Sequence, residues 1–336
     1  MNEESGAEAP QDFFASVDAA RDTHLGQNIC VPHPTGYRCS RGDGQMDSHF
    51  ETRLPAPILR RFISHYGGAR VRGLTPGVNT TLPSRHAHLI ISLDAPINVR
   101  QMSNEAPPAA RFSALVSGLH DGFAMVERTS SWEGLHVFFR PLGLQAVLGA
   151  TAAELASGAV ALSDLCPRDA PDLMERLSST RNWRARFAIL DEVLTHRLTP
   201  AKGSPLVAYA WRQLAASHGR RSVESLAQDT GWSRQHMADR FRAELGITPK
   251  TAARIFRFER ACGLISDLRQ PLADVAAACG YADQAHMTRD WNAFTGTSPK
   301  AWIANELPFL QDYELSRHDD GVETSTPSLV VTGQIA

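Results

Sequence analysis

The sequence predicts an α+β fold, in which a β-rich N-terminal part is followed by an all-α part with two helix-turn-helix units. Short β-like runs between about Pro55 and Leu165 are separated by turn residues, a pattern typical of a β-sandwich or barrel. From Leu206 to Glu306, apolar residues instead recur at helical spacing, with single Gly and Pro residues as stops. The third observation is a repeat within this helical part.

This pattern divides the chain into four segments. Residues 1–48 are rich in Gly, Pro, Ser, Asp and Glu and are expected to be disordered or loosely packed, and residues 307–336 to form a flexible tail. Residues 49–200 form the expected β-rich domain, which ends in helices. Residues 206–306 form the helical domain, and the linker Thr199–Pro205 precedes it.

Within residues 49–200, apolar runs bounded by Gly and Pro predict strands, and apolar residues at helical spacing then predict helices. The clearest strand candidates are His88–Leu93, Ala114–Val116 and Leu135–Phe139. The helix candidates are Leu142–Leu148, Ala152–Leu155 and Asp172–Leu198.

Bulk composition excludes several classes of protein. Hydrophobic residues make up 43% of the 336 residues, enough for ordinary cores. No run approaches the roughly 18 apolar residues that a membrane helix needs, and the acidic N-terminus is not a secretion signal, so we expect a cytoplasmic protein without a membrane partner. The net charge is −2, but residues 206–306 carry 13 basic and 10 acidic side chains, a charge of +3 that leaves −5 elsewhere.

Two groups of residues resemble metal ligands. Cys30 and Cys39 flank His33, but the second ligand pair of a closed zinc site is missing nearby. Four histidines lie among the β runs, but no acidic ligand follows them at the expected spacing; they are His86, His88, His120 and His136. We therefore predict no metal, no cofactor and no catalytic residue.

The internal repeat carries most of the functional information. The first copy contains Gly231-Trp232 and His236-Met237, and the second contains Gly280-Tyr281 and His286-Met287. Both copies end in Gly-x-Thr/Ser-Pro-Lys, at residues 246–250 and 296–300. The two copies are offset by 49 residues at the first glycine and by 50 at the His-Met pair, so the second copy has one extra residue in the turn that leads into its second helix.

Each copy has the parts of a helix-turn-helix. A short helix begins at Ser222 or Pro271, as a capping hydroxyl and a first-turn proline allow. The following glycine suits the positive φ of a helix end, and Ser233 or Asp283 caps the second helix. The second helices bury an apolar stripe, formed by Met237, Phe241 and Leu245 in one copy and by Met287, Trp291 and Phe294 in the other.

The opposite faces of these second helices are polar, and such faces suit the reading of base edges in the major groove. The candidate DNA-binding residues are Ser233, Arg234, Gln235, His236, Ala238 and Asp239 in the first unit, and Asp283, Gln284, Ala285, His286, Thr288 and Arg289 in the second. Thr251–Leu264 is the expected rigid spacer between the units. Its Arg254, Arg257 and Arg260 are expected to face solvent or phosphate.

Residues 206–306 resemble the DNA-binding domain of AraC/XylS-type regulators. The resemblance lies mainly in the second unit, in Asp274–Arg289 and then in Gly296-Thr297-Ser298-Pro299. It implies seven helices in two DNA-binding modules, paired with an N-terminal sensing or dimerisation domain. Two residues depart from the family pattern. Trp291 replaces the usual phenylalanine, and Asp239 stands where a basic residue is common. Because of Asp239, base readout by the first unit is expected to depend on Arg234 and Gln235.

The N-terminal region resembles a β-rich, sensor-like domain found in some actinobacterial members of the same family. The resemblance lies in Leu82–His86 and Val137–Gly143, and it identifies no ligand. Arg85 and Arg140 either bind an acidic effector or close the domain with ion pairs.

The family resemblance implies a sequence-specific transcription regulator that binds double-stranded promoter or operator DNA. RNA polymerase, a small-molecule effector and a second copy of the chain are further partners that it leaves open. One alternative is a DNA-alkyl repair methyltransferase, which needs an activated cysteine that Cys30 and Cys39 do not obviously supply. Another is a non-specific architectural binder, which the weak positive charge of the helical part opposes.

Overall fold

We describe the protein from a computed structural model, which gives residues 30–33, 36–39, 47–74, 76–102, 110–156, 158–200, 202–265 and 270–306. Residues 307–336, the expected flexible tail, lie outside the described residues, as does most of the segment 1–48. Within that first segment the structure has two strands, β1 (Cys30–His33) and β2 (Gly36–Cys39), which form an antiparallel hairpin. The strand β3 begins at Asp47.

Two antiparallel sheets form the β-rich region of the described chain. The six-stranded sheet has the order β12-β9-β6-β11-β4-β3, and the four-stranded sheet has the order β5-β10-β7-β8. The strands are β3 (Asp47–Arg53), β4 (Ile63–Arg72), β5 (Gly77–Thr81), β6 (Ala87–Ser92), β7 (Ile97–Met102), β8 (Ala110–Phe112), β9 (Ala114–Ser117), β10 (Ala124–Arg128), β11 (Ser131–Phe139) and β12 (Ala159–Ala161).

The centre of the larger sheet is covered on both faces. Residues Gly134–Phe139 of β11 are all buried, which explains why this strand reads as a continuous apolar run rather than an alternating one. A helix packs directly on β4, because a Cβ at Gly68 would lie only 2.6 Å from Cε3 of Trp183. The glycine therefore permits a close approach of helix and sheet.

The described residues of the β-rich region also contain a 3-10 helix (Pro57–Leu59) and four α-helices: α1 (Gly143–Leu148), α2 (Leu162–Leu165), α3 (Asp169–Ser179) and α4 (Trp183–His196). The single helix expected over Asp172–Leu198 is thus two helices. The Asn182 side chain accepts a hydrogen bond from the Ala185 N–H at 3.1 Å and begins α4 anew. The expected helix at Ala152–Leu155 is a turn.

The helical region contains α5 (Pro205–Ala216), α6 (Val223–Thr230), α7 (Arg234–Leu245), α8 (Pro249–Ile265), α9 (Leu272–Ala278), α10 (Gln284–Thr295) and α11 (Pro299–Glu306). Helix α8 lies in the middle of this region, with Ile255, Phe256 and Phe258 at most 1% exposed. The predicted fold class, β-rich and then all-α, is confirmed. No helix of the described residues has both the length and the apolar character to span a membrane.

Candidate nucleic-acid interface

The first helix-turn-helix is formed by α6 and α7. Ser222 accepts a hydrogen bond from the Ser225 N–H at 3.1 Å and caps α6, as its position in the sequence predicts. Gly231 ends the helix with φ of +68°, a conformation that favours glycine. Ser233 then accepts from the His236 N–H at 3.1 Å and begins α7. These local bonds and the glycine fix where each of the two helices begins and where α6 ends.

The second helix-turn-helix repeats this geometry in α9 and α10. Gly280 has φ of +78°, and Tyr281, only 6% exposed, packs into the core that the two helices share. Asp283 accepts a hydrogen bond from the His286 N–H at 2.6 Å and caps α10. Pro271 occupies the N-cap of α9, one position before the first-turn site.

The buried and exposed faces of α7 and α10 follow the expected pattern. The apolar stripe of each helix is fully buried: Met237, Phe241 and Leu245 in α7, and Met287, Trp291 and Phe294 in α10. Most of the candidate reading residues are exposed: Ser233, Arg234, Gln235, His236, Asp239, Asp283, Gln284, Ala285 and Arg289. The others are half-buried: Ala238, His286 and Thr288.

The polar side chains of α7 are bonded to one another or to α6. Arg234 Nη1 lies 2.9 Å from Glu224 Oε1. Gln235 donates from Nε2 to Asp239 at 2.9 Å, and Asp239 also pairs with Arg242 at 3.1 Å. Asp239, which departs from the family pattern, thus accepts a hydrogen bond from Gln235, a neighbouring candidate DNA-binding residue. Contacts from Arg234 and Gln235 to DNA would require these bonds to be exchanged.

The polar side chains of α10 are less engaged. Arg289 is exposed and donates from Nε to the Ala285 carbonyl oxygen at 3.3 Å, a bond within its own helix turn. The His286 ring meets Tyr281 edge-on, with ring centroids 5.3 Å apart. Gln284, at the first position of the helix, is exposed. The second unit therefore presents an amide and a guanidinium that can donate to bases or phosphates.

The arginines of α8 do not form the solvent-facing row that the sequence predicted. Arg254 donates from Nε to Asp290 Oδ1 at 2.9 Å, and its guanidinium lies 4.7 Å from the centre of the Phe294 ring. Arg257 donates to the Gly219 carbonyl oxygen at 3.2 Å and lies over Tyr281. Because α8 lies inside the helical region, Arg254 and Arg257 contact residues of the second unit and hold that unit against the spacer.

Asp290 is a structurally important residue that sequence reasoning missed. Its side chain is only 9% exposed, and it anchors α10 to α8 through Arg254. Two features of the sequence could have indicated this role. Asp290 is a charged residue directly before Trp291 of the buried stripe, and the spacer carries arginines at helical spacing that could pair with it. A buried carboxylate needs a partner, which Arg254 supplies.

The cysteines whose side chains are described do not resemble activated nucleophiles. Burial raises the pKa of Cys279 to about 11 and also raises the pKa of Cys166. Thiolate formation at these two residues is therefore disfavoured at neutral pH. The side chains of Cys30 and Cys39, on which the alkyl-repair alternative depends, lie outside the described residues.

Three histidines of the β-rich region, His88, His120 and His136, line a cavity between the two sheets. His136 Nε2 lies 2.8 Å from His88 Nδ1. Burial lowers the pKa of His88 to about 3 and that of His136 well below its usual value, so both rings are neutral. No group of three or more His, Cys, Asp or Glu side chains in the described ranges has a metal-binding arrangement.

The cavity has a volume of about 160 Å³. Its walls are mainly apolar and come from both sheets, including Val71, Leu74, Ile90, Ile97, Val99, Leu115 and Val126. Arg85 and Arg140 do not line it. Arg85 pairs with Glu259, so the ion-pair alternative describes that residue, and Arg140 donates to the Arg60 carbonyl oxygen at 3.1 Å.

Comparisons with known proteins agree with this geometry. A family described as a helix-turn-helix domain matches residues 226–305, which include most of both units. The MmsAB operon regulatory protein of Pseudomonas aeruginosa is 33% identical over 85 residues, covering 25% of this chain and 28% of the relative. The arabinose operon regulatory protein of Salmonella typhimurium is 30% identical over 119 residues, covering 35% and 41%. The chain thus matches less than half the length of these relatives.

Solved structures show a more distant likeness. ToxT from Vibrio cholerae aligns with a TM-score of 0.42 and 8% identity, over 79% of this chain and 99% of that chain. The C-terminal domain of AraT from Geobacillus stearothermophilus aligns with a TM-score of 0.29 and 22% identity, over 35% and 93%. The paired units and the matched relatives confirm the resemblance to AraC/XylS-type regulators, and residues 226–305 of this chain form a helix-turn-helix domain.

Proposed function

We propose that this protein is a sequence-specific DNA-binding transcription regulator that reads successive major grooves with α7 and α10. The observation that carries the proposal is the duplicated geometry: two capped helices, each with its apolar stripe buried and its polar face exposed, on either side of one central helix. In a helix-turn-helix, the N-terminal residues of the second helix contact base edges. Arg234 and Gln235, and likewise Gln284 and Ala285, occupy those positions.

The two units are proposed to contribute unequally. Gln284 and Arg289 can form bidentate contacts, glutamine with adenine and arginine with guanine. Arg234 and Gln235 can do the same only after they release Glu224 and Asp239. We therefore assign the larger share of base discrimination to the second unit. Ser233 and Asp283, whose side chains cap their helices, serve to position rather than to read.

The proposed partner is double-stranded promoter or operator DNA. The two curated relatives are described as operon regulatory proteins, which supports a role at promoters. RNA polymerase is the partner through which a bound regulator would act, and a second copy of the chain would bind through the β-rich region.

We further propose that a small-molecule effector occupies the cavity between the two sheets. The cavity is comparable in volume with an engineered apolar cavity of about 150 Å³ that binds benzene. The neutral histidines supply hydrogen bonds, and Glu127 and Arg128 are the charged residues of a lining that is otherwise mainly apolar, which favours a small, mainly apolar ligand with a polar group. A metabolite that binds only the folded protein raises its melting temperature. Val99→Phe, which fills the cavity, should abolish that rise.

The DNA-binding proposal is tested by selecting bound duplexes from a random library and titrating the selected site at fixed salt. Arg289→Ala and Gln284→Ala should each weaken binding by about tenfold or more, the cost of one bidentate base contact. Arg212→Ala on α5 removes an exposed arginine outside both units and is the matched control. Unchanged affinity and base preference in both variants would refute the assignment. Binding without base preference that falls steeply with salt would instead indicate a non-specific binder.

A further inference from the structure

The β-rich region touches the two reading helices at equivalent points. Gly246 ends α7 and Gly296 ends α10, with φ of +76° and +71°, and they occupy the same position in the internal repeat. A Cβ placed on Gly246 would overlap the Cβ of Ala156 and lie 3.1 Å from Cα of Ala153. A Cβ on Gly296 would lie 3.4 Å from Cε1 of Phe123. Both helix ends are thus in contact with the β-rich region.

A third contact involves the spacer helix α8, which lies between Gly246 and Gly296 in the sequence. Glu259 of α8 has a side chain that is 1% exposed, and its carboxylate is bound entirely by Arg85 of the β5–β6 loop. The Arg85 N–H donates to Oε1 at 2.9 Å and its Nε donates to Oε2. The Arg85 guanidinium also lies 5.1 Å from the centre of the Phe256 ring. A buried carboxylate held by a backbone N–H and a guanidinium is a rigid contact.

Apolar packing reinforces the three contacts. Leu119 and Ala152 of the β-rich region are fully buried in the same cluster as Met237, Phe258 and Trp291 of the helical region. At the end of α7, Glu244 also accepts a hydrogen bond from the Ser204 N–H at 2.8 Å. The two regions therefore share a core.

From these contacts we propose that the β-rich region braces the two helix-turn-helix units and thereby sets the spacing between half-sites that the protein accepts. Without the brace, the units are joined through α8 and the contacts that each unit makes with it, and a small movement at these contacts would change the distance between α7 and α10. Contacts to the first unit, the spacer and the second unit remove that freedom. The inference rests on the proposed function, since it concerns how both units read one duplex.

The brace leaves the reading faces accessible. It contacts the C-terminal ends of α7 and α10, whereas the candidate base contacts lie in their N-terminal halves, which extend to Asp239 and Arg289. Each helix has 12 residues, which separates its two ends by about 18 Å. The contacts in this structure are therefore compatible with bound DNA, and the brace can act in the complex.

The test uses the full chain and the selected DNA site, with base pairs inserted between the half-sites. Each inserted pair displaces one half-site by about 3.4 Å and rotates it by about 34°. The wild type should lose about tenfold in affinity for the first inserted pair, a cost similar to that of one wrong base pair. The double variant Arg85→Ala/Phe123→Ala should lose less than about threefold, because its units can adjust. Arg100→Ala, which breaks an exposed ion pair with Glu127 on the smaller sheet, is the matched control and should keep the wild-type profile.

The readout is a ratio of affinities for two sites measured on the same sample. A variant that is partly unfolded loses active protein for both sites equally, so misfolding leaves the ratio unchanged. Identical spacing profiles for the wild type and the double variant would overturn the brace. Failure to select any two-part site would instead overturn the proposed function, so the two failures are distinguishable.

Discussion

The contact between Gly246 and the β-rich region yields a quantitative prediction, because the chain contains a matched glycine without that contact. Gly246 and Gly231 have φ of +76° and +68°, so alanine is strained at both. Nothing lies within 4 Å of a Cβ on Gly231, whereas a Cβ on Gly246 would overlap Ala156. Since carbon atoms pack at about 3.5–4.0 Å, the β-rich region must move to admit it.

The two substitutions should therefore differ in their effect on stability. Gly231→Ala should lower the free energy of unfolding by about 1 kcal/mol, which is the left-handed strain of alanine less the stabilisation that comes from the lower entropy of the unfolded chain. Gly246→Ala carries the same strain plus an overpacking cost of about 1–3 kcal/mol. Gly296→Ala should resemble Gly231→Ala, because a Cβ there meets only the Phe123 ring edge at 3.4 Å.

Urea unfolding of the three variants, followed by circular dichroism, measures these differences directly. The ordering is the decisive result: Gly246→Ala should be clearly the least stable. Equal losses for Gly231→Ala and Gly246→Ala would show that the helical region does not press on Ala156 in solution, and the reasoning about the brace would fail with it.

Two further predictions concern the ion pair between Arg254 and Asp290 and the cavity-lining residue His88. Arg254→Ala removes the arginine that pairs with the 9%-exposed carboxylate of Asp290, and it should lower the free energy of unfolding in urea by about 3 kcal/mol. Arg234→Ala breaks the exposed pair with Glu224 and should lower it by less than about 1 kcal/mol. Equal losses would contradict the anchoring role of Arg254. The pKa of His88 is lowered from 6.5 to about 3, so this residue stays neutral in the folded protein while the unfolded chain takes up a proton. The free energy of unfolding should therefore fall as the pH drops from about 6.5 towards 3, by about 1 kcal/mol per pH unit for this residue. His88→Gln should reduce that slope and exposed His196→Gln should not, and an unchanged slope in His88→Gln would refute the assignment.

The sequence was most informative where local chemistry decides the structure. Ser222, Ser233 and Asp283 cap their helices because a side-chain oxygen needs only a neighbouring backbone N–H, a relation within three residues. The buried stripes of α7 and α10 follow equally from helical spacing. These local rules located both candidate reading faces before any tertiary contact was known.

Long-range contacts were beyond such rules. Arg254 and Arg257 read as solvent-facing because nothing near them in sequence shows that α10 packs over that face of α8. The pairing of Arg85 with Glu259 joins residues 174 positions apart. The break at Asn182 was missed for a different reason, since apolar periodicity continues across it and conceals a new N-cap.

The shared core has a practical consequence for engineers who exchange regulatory modules between related proteins. A foreign helical region grafted at the Thr199–Pro205 junction would bring its own residues to the places of Glu259, Gly246 and Gly296. Any side chain larger than hydrogen at the Gly246 position would collide with Ala156, and an apolar residue in place of Glu259 would remove the carboxylate that Arg85 binds. Chimeras should therefore fold best when the donor supplies the glycine at position 246 and the carboxylate at position 259, whereas alanine at position 296 should cost little more than its backbone strain.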